Sequence, residues 1–346
     1  MHCSPHIPGT LAFLILAASC LAECAGSRKE ALLVYRLRGE VRPLLFWVGR
    51  DEVGGGRITI RRSDNLSTGC WREEIEVLFG SDPERIPKRI NRWGYGRESA
   101  DWIRDNDAPA PRLLGTQFQG IMRHSPESSV EDVVAESKQG QAAHRYDLTW
   151  TTVLPGQAYH ELRILTDGEE FHYRRPDRLL SKYRECLAST PPLRRKELLN
   201  ASRAYGAPYG FLTGLWHALG QITGAYERSP HALQRTRPSL TFVFNAKPYL
   251  LEVVGIRSLA HFQNRYGTLR FRDVAVVEFR CFNTVKRTRT EFSLWVPLQG
   301  EFKGLPIRVL LQPRWWLRLQ LDLDAGDSRL VAGEHLRAAH LSRDWP

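Results

Sequence analysis

Leu317-Arg318-Leu319-Gln320-Leu321-Asp322-Leu323 places an apolar residue at every second step and a polar one between. Only an extended chain, whose successive side chains point to opposite faces, turns that spelling into one dry face and one wet face. A helix would scatter the four leucines around its circumference. Far away in the sequence, Leu33, Tyr35 and Leu37 alternate with Arg36 and Arg38 in the same way. Between these two stretches, further strands are expected at Leu44–Val48, Arg57–Arg61, Glu74–Phe79, Arg145–Val153 and Glu161–Thr166. Another series follows at Thr241–Phe244, Tyr249–Val254, Leu269–Phe282, Phe292–Val296 and Ile307–Leu311, and the quoted stretch closes it as Trp316–Leu323. Turn clusters such as Gly54-Gly55-Gly56 and Asp167-Gly168 separate them.

Helical signals are fewer. Pro192–Tyr205, opened by Pro and followed by Gly206, carries helix punctuation, and Ser128–Ser137, Arg178–Leu187 and Phe211–Ile222 are weaker candidates. Asp82–Arg112 and Gln139–Ala143 read as loops, and the segment from Ala325 as a polar helix or tail. The expected architecture is mainly β, a strongly curved antiparallel sheet forming a barrel or half-barrel with a helical insert at about 178–222. Closure would remove exposed strand edges. A two-sheet β-sandwich is the alternative. The chain divides into an N-terminal region 1–22, β-rich regions 23–143 and 144–324 that can share one domain, and a tail 325–346. Strands that follow one another without helices between them disfavour a parallel α/β fold.

Composition agrees with a folded chain. The 346 residues are 42% hydrophobic and 25% charged, which argues against wholesale disorder, a collagen-like repeat or a polytopic membrane protein. Lys and Arg number 49 against 38 Asp and Glu, a net charge of +11 that favours polyanions without selecting one. Positions 1–22 carry none of these charges, and Gly9 to Ala22 reads GTLAFLILAASCLA, an apolar run ending in small residues. That pattern suits a secretory signal peptide, so the protein is expected to be exported to the periplasm or cell envelope. Leu16 to Cys20 also offers a lipoprotein-like box, with acylation of Cys20 as the alternative outcome. Cys24, Cys70, Cys186 and Cys281 remain, an even number that allows one or two disulfides, and no CxxC occurs.

The signal-like start, the alternating strands from Leu33 to Phe79 and the strand-rich half from Arg145 to Leu323 together resemble exported bacterial β-rich proteins built on a domain of unknown function. The likeness is one of layout and matches no defining motif. It implies an envelope protein and transfers no functional residue.

Several constellations are chemically suggestive. Arg85, Lys88, Arg89, Arg92 and Arg97, with Trp93 and Tyr95 interleaved, could hold an anionic envelope polymer. Trp295, Trp315 and Trp316 are candidates to line a cavity for a lipid or other hydrophobic ligand. His160, Glu161 and His172 flank a turn and offer an acid–base pair to an envelope hydrolase or carbohydrate-active enzyme, the rival reading. Gly54-Gly55-Gly56 lacks the Lys and Ser/Thr of a phosphate loop and reads as a hairpin or bulge. Asp322, Asp324 and Asp327 lack the final Glu of a calcium loop. No catalytic residue, metal or cofactor is assigned, and no nucleic-acid partner is expected. The leading expectation is a non-enzymatic exported protein whose curved sheet binds an apolar or amphiphilic ligand.

Overall fold

The computed structural model describes residues 28–42, 47–65, 69–82, 84–85, 93–104, 111–123, 144–155, 157–167, 181, 194–197, 209–244, 247–266, 269–314 and 316–330. In chain order the first meander is β1 (Arg28–Val41), β2 (Val48–Asn65), β3 (Cys70–Ser81), β4 (Trp93–Ile103), β5 (Arg112–Arg123), β6 (His144–Leu154), β7 (Gln157–Asp167) and β8 (Arg194–Glu197). Helices α1 (Phe211–Arg228) and α2 (Pro230–Arg235) follow. The second meander is β9 (Ser239–Phe244), β10 (Lys247–Gln263), β11 (Arg270–Asn283), β12 (Arg289–Pro297), β13 (Arg308–Arg314) and β14 (Leu317–Leu323), with a short β15 (Arg329–Leu330).

All fifteen strands form one antiparallel sheet. Its order is β8-β7-β6-β5-β4-β3-β2-β1-β14-β13-β12-β11-β10-β9, with β15 beside β1. The two meanders are therefore joined along β1, which pairs with β14, Tyr35 facing Leu323 and Val41 facing Leu317, and then with β15. Among the described residues no ladder joins β8 to β9, so the sheet does not close by hydrogen bonds. It nevertheless curls far enough for Phe244 of β9 to meet Phe118 of β5 edge to face, 5.2 Å between ring centroids. Val243 packs with Val153 and Ala158 of β6 and β7 beside that contact.

The alternation that opened the reading is visible in the burial. Leu33, Tyr35 and Leu37 are all buried on the face that meets α1. The opposite face of the first meander carries a lattice of ion pairs, Glu30 to Arg61 at 3.0 Å and Arg61 to Glu74 at 3.0 Å. The wet face of β14 is less wet than its spelling implies: Asp322 is completely buried, bonded to Arg308 and to Gln320 Nε2 at 2.6 Å. The reason lies in another strand pair. The far end of the β10–β11 hairpin crosses the outer face of β14, β1 and β2, where Asn264 donates to the Leu323 carbonyl, Tyr266 lies under the Arg36 guanidinium and Arg265 meets Asp51 at 2.8 Å. Asp273, at φ 50, and a register shift between Val253 and Gly255 give this hairpin its bends.

Helix α1 fills the concavity. Ala218, Leu219 and Ile222 enter one buried cluster with Leu251, Phe279 and Leu294, and Leu212 enters another with Leu33, Tyr35 and Ile60. Three glycines within the helix would each cost about 1 kcal/mol relative to Ala, so burial rather than propensity holds α1 helical. Its first turn has no side-chain cap of its own. Glu98 of β4 supplies one from the sheet, accepting the backbone N–H of Thr213 at 2.7 Å and of Leu212 at 3.1 Å. Gly210 permits this approach, because a Cβ there would lie 2.4 Å from the Glu98 carboxylate.

Several expectations need correction. The expected loop Asp82–Arg112 contains β4, whose strand signal is diluted by Gly94 and Gly96. Gly96 leaves room for the Phe118 ring, which a Cβ would meet at 3.0 Å. No element is read from the sequence over Arg112–Arg123, yet it forms β5, with its apolar residues broken up by Gly115 and Gly120. Within the helix expected at Pro192–Tyr205, residues Arg194–Glu197 pair as a strand with β7, since tertiary pairing overrides local punctuation. The remainder of that helix, the candidate Ser128–Ser137 and, apart from Ser181, Arg178–Leu187 lie outside the described residues. Gly54 to Gly56 stand inside β2, opposite Leu37, Arg36 and Tyr35, rather than at a hairpin. The adjoining irregularity uses Glu52, at φ 54, as its left-handed residue. In the expected tail, Arg329–Leu330 pairs with β1.

Candidate functional site

The concave wall of the first meander ends in an aromatic stack. Trp71 of β3 and Trp102 of β4 are register partners on the face that carries Glu98, and their rings stack at 6.0 Å with 7° between planes. Both are buried, with Ala100 and Leu113 around them and Tyr209 packed against the group. The Arg62 guanidinium lies 4.8 Å over the Trp71 ring and bonds Asp64 at 2.6 Å. Glu73, one residue pair along the same face, is 3.9 Å from Arg62. Burial raises the Glu73 carboxyl above the ordinary range, while the Arg62 charge and the nearby indoles pull it down.

Helix α1 closes the other side. Tyr209 bridges the two, its ring 5.1 Å from that of His217. His217 is buried, with Nε2 2.9 Å from the Gln221 amide nitrogen, and burial pushes its pKa down to about 4. Burial also pushes the Tyr209 hydroxyl up to about 12 and raises the Glu98 carboxyl. Tyr209, just ahead of the helix, packs against the indoles, and His217 of the helix lies behind it against the Tyr209 ring. These aromatic side chains are buried and packed together, with the Arg62 guanidinium at their edge.

The residues singled out in the sequence lie elsewhere. Trp295 stands on the other face of β12 from the core residue Leu294, and Arg308 is held between its ring, at 5.6 Å, and that of Phe262, at 4.8 Å. Trp316 is exposed where β14 begins, and its carbonyl accepts the Arg42 N–H at 2.8 Å. Trp315 lies outside the described residues. Arg85 donates to the carbonyl and carboxylate of Glu52 at 3.1 and 3.3 Å, and Arg97 pairs with Glu74. Lys88, Arg89 and Arg92 lie outside the described residues. His160 and Glu161 are neighbours on β7 and so point to opposite faces, the first 3.0 Å from Thr151 Oγ1 and the second 2.7 Å from Arg163. The structure does not bring them together, and His172 is outside the described residues. Cys281 is half-buried, its thiol pushed up to about 11 by burial. Cys24 and Cys186 lie outside the described residues, and among the described residues no group of His, Cys, Asp and Glu is arranged to hold a metal.

A depression of about 440 Å³ opens over the glycines of β2, with Arg36, Glu52, Arg57 and Asp324 on its rim. Arg36 is committed within it, 2.6 Å from both Glu52 and Asp324. Sequence reasoning missed the Trp71 and Trp102 stack. Trp71 lies just before the expected strand Glu74–Phe79, and Trp102 lies inside the expected loop Asp82–Arg112.

Fold and site together define a rolled β-sheet protein with a helix in its concavity and an aromatic wall beside that helix. No family model matches the chain, and no curated protein matches it. Among solved structures it is similar to a crystal structure of a beta-barrel-like protein of domain of unknown function DUF1849 from Brucella abortus, at 7% identity and a TM-score of 0.39, covering 86% of this chain and 97% of that one.

Proposed function

We propose that this chain is an exported, non-enzymatic envelope protein that binds an amphiphilic ligand between α1 and the concave wall of its sheet. The observation that carries the reading is the stacked Trp71–Trp102 pair, buried beside a guanidinium and a largely buried carboxylate. Arg62, paired with Asp64 and near Glu73, puts a polar edge beside the apolar plane of the two indoles, the combination an amphiphilic ligand would meet. The apolar run Gly9 to Ala22 supports export. His160 and Glu161 point to opposite faces of β7 and bond different partners, which favours the non-enzymatic reading over the hydrolase one.

Native mass spectrometry of the full chain, gently extracted from a bacterial envelope, tests the proposal. A stable added mass in the lipid range is expected, lost on denaturation and much reduced in Arg62→Gln and Trp102→Leu. A clean polypeptide mass overturns the reading, as does an added mass that neither variant changes.

A further inference from the structure

One end of the sheet is built differently from the rest of its surface. The turns that join β1 to β2, β11 to β12 and β13 to β14 all lie at this end, since Val41 faces both Val48 and Leu317, and Phe282 faces Arg289. Four of the seven large hydrophobic side chains exposed among the described residues stand on these turns: Val41, Val48, Val285 and Trp316, with Val285 the most exposed at 66%. Lys286 and Arg287 follow Val285 directly, Arg289 comes two residues on, and all three are exposed. Glu291 is the acid beside them, 3.2 Å from Arg280 and 4.0 Å from Arg289. Just ahead of β2 the Trp47 ring is flanked by the guanidiniums of Arg42, at 6.0 Å, and Arg318, at 4.4 Å.

Exposed aliphatic tips, indoles and cations on one rim are the ingredients of a surface that enters the headgroup layer of a bilayer. A soluble polyanion would be served by the cations alone and gives no reason for Val285 and Val48 to stand in water. We propose that this rim docks peripherally on an anionic lipid bilayer, with Val285 and Trp316 entering the interface and Lys286 and Arg287 meeting lipid phosphates. The contact is independent of the ligand proposed for the concavity, since none of these residues belongs to that wall.

Flotation of the full chain with vesicles tests it, comparing neutral phosphatidylcholine with vesicles containing about a third phosphatidylglycerol. Binding to the anionic vesicles alone is expected, falling steeply at about 0.5 M salt. Each cation near such a surface is worth about fivefold, so Lys286→Gln with Arg287→Gln should bind about 25-fold more weakly. Val285→Ser with Trp316→Ser should lose about tenfold while keeping its charge. Failure of the full chain to float overturns the proposal. So does undiminished flotation of the Val285→Ser, Trp316→Ser variant, because that outcome, with heparin competing freely, is plain polyanion adsorption. Equal flotation with neutral vesicles also overturns it.

Discussion

Replacing Gly210 by Ala tests whether Glu98 caps α1 across the interior. The backbone at Gly210 has φ −87 and ψ 179, which any residue adopts, so conformational freedom alone makes Gly210→Ala stabilising by about 0.4–1 kcal/mol. Space argues the other way. The new Cβ would lie 2.4 Å from both Cδ and Oε2 of Glu98 and 2.5 Å from Oε1, so the carboxylate has to withdraw. Its withdrawal strands the N–H groups of Leu212 and Thr213, each bond worth about 1–1.5 kcal/mol. The net expectation is a loss of about 2 kcal/mol. In a Glu98→Ala background there is nothing left to collide with, and Gly210→Ala should become neutral or slightly stabilising. The coupling between the two positions is therefore about 2–3 kcal/mol, well above the error of a double-mutant cycle. Urea unfolding of the four proteins, followed by far-ultraviolet circular dichroism, gives it directly. If Gly210→Ala costs the same in both backgrounds, Glu98 is not the cap.

Because burial lowers His217 to about 4 from 6.5, the folded state takes up its proton later than the unfolded chain does, and stability should fall by up to about 3 kcal/mol as pH drops through that interval. In His217→Gln the portion of the acid loss between those values should disappear, as read from urea midpoints at successive pH values. Asp322→Ala leaves Arg308 charged between Phe262 and Trp295 and should destabilise by about 3–5 kcal/mol, whereas Asp322→Leu with Arg308→Met should recover most of that loss. Equal losses in the single and double variants would show that the ion pair itself, not the stranded charge, carries the effect.

Strand spelling was most legible where both neighbours were ordinary. Leu33 to Arg38 and Leu317 to Leu323 alternate cleanly, and they belong to the two strands whose ladder, Tyr35–Val41 against Leu317–Leu323, joins the meanders. Legibility failed at β4 and β5, because glycine there serves a neighbour rather than its own strand: Gly96 and Gly120 make room for Phe118. A glycine that clears space for a ring reads, in one dimension, like a loop. The candidate wall was hidden for a related reason. Trp71 and Trp102 meet only through the register of β3 with β4, and Tyr209, backed by His217, reaches them only through the chain's approach to α1. The eye is drawn instead to dense local runs such as Arg85 to Arg97, yet Arg85 and Arg97 are each tied to a glutamate on another strand.

The pairing of β1 with β14 sets an order of events during synthesis. Arg36 and Asp324 are bonded across 288 residues of sequence, so the N-terminal meander is complete long before its partner strand exists. Throughout that interval β1 is a bare edge with unpaired amides, the kind of template on which chains join one another. Arg36, Arg38 and Glu40 stud the outer face of that edge with charge, which discourages a foreign strand from settling there. Slow, late closure of one ladder thus becomes the step at which misassembly competes with folding, and a factor that shields β1 until Leu317–Leu323 arrives would raise the yield of folded protein without touching its final stability.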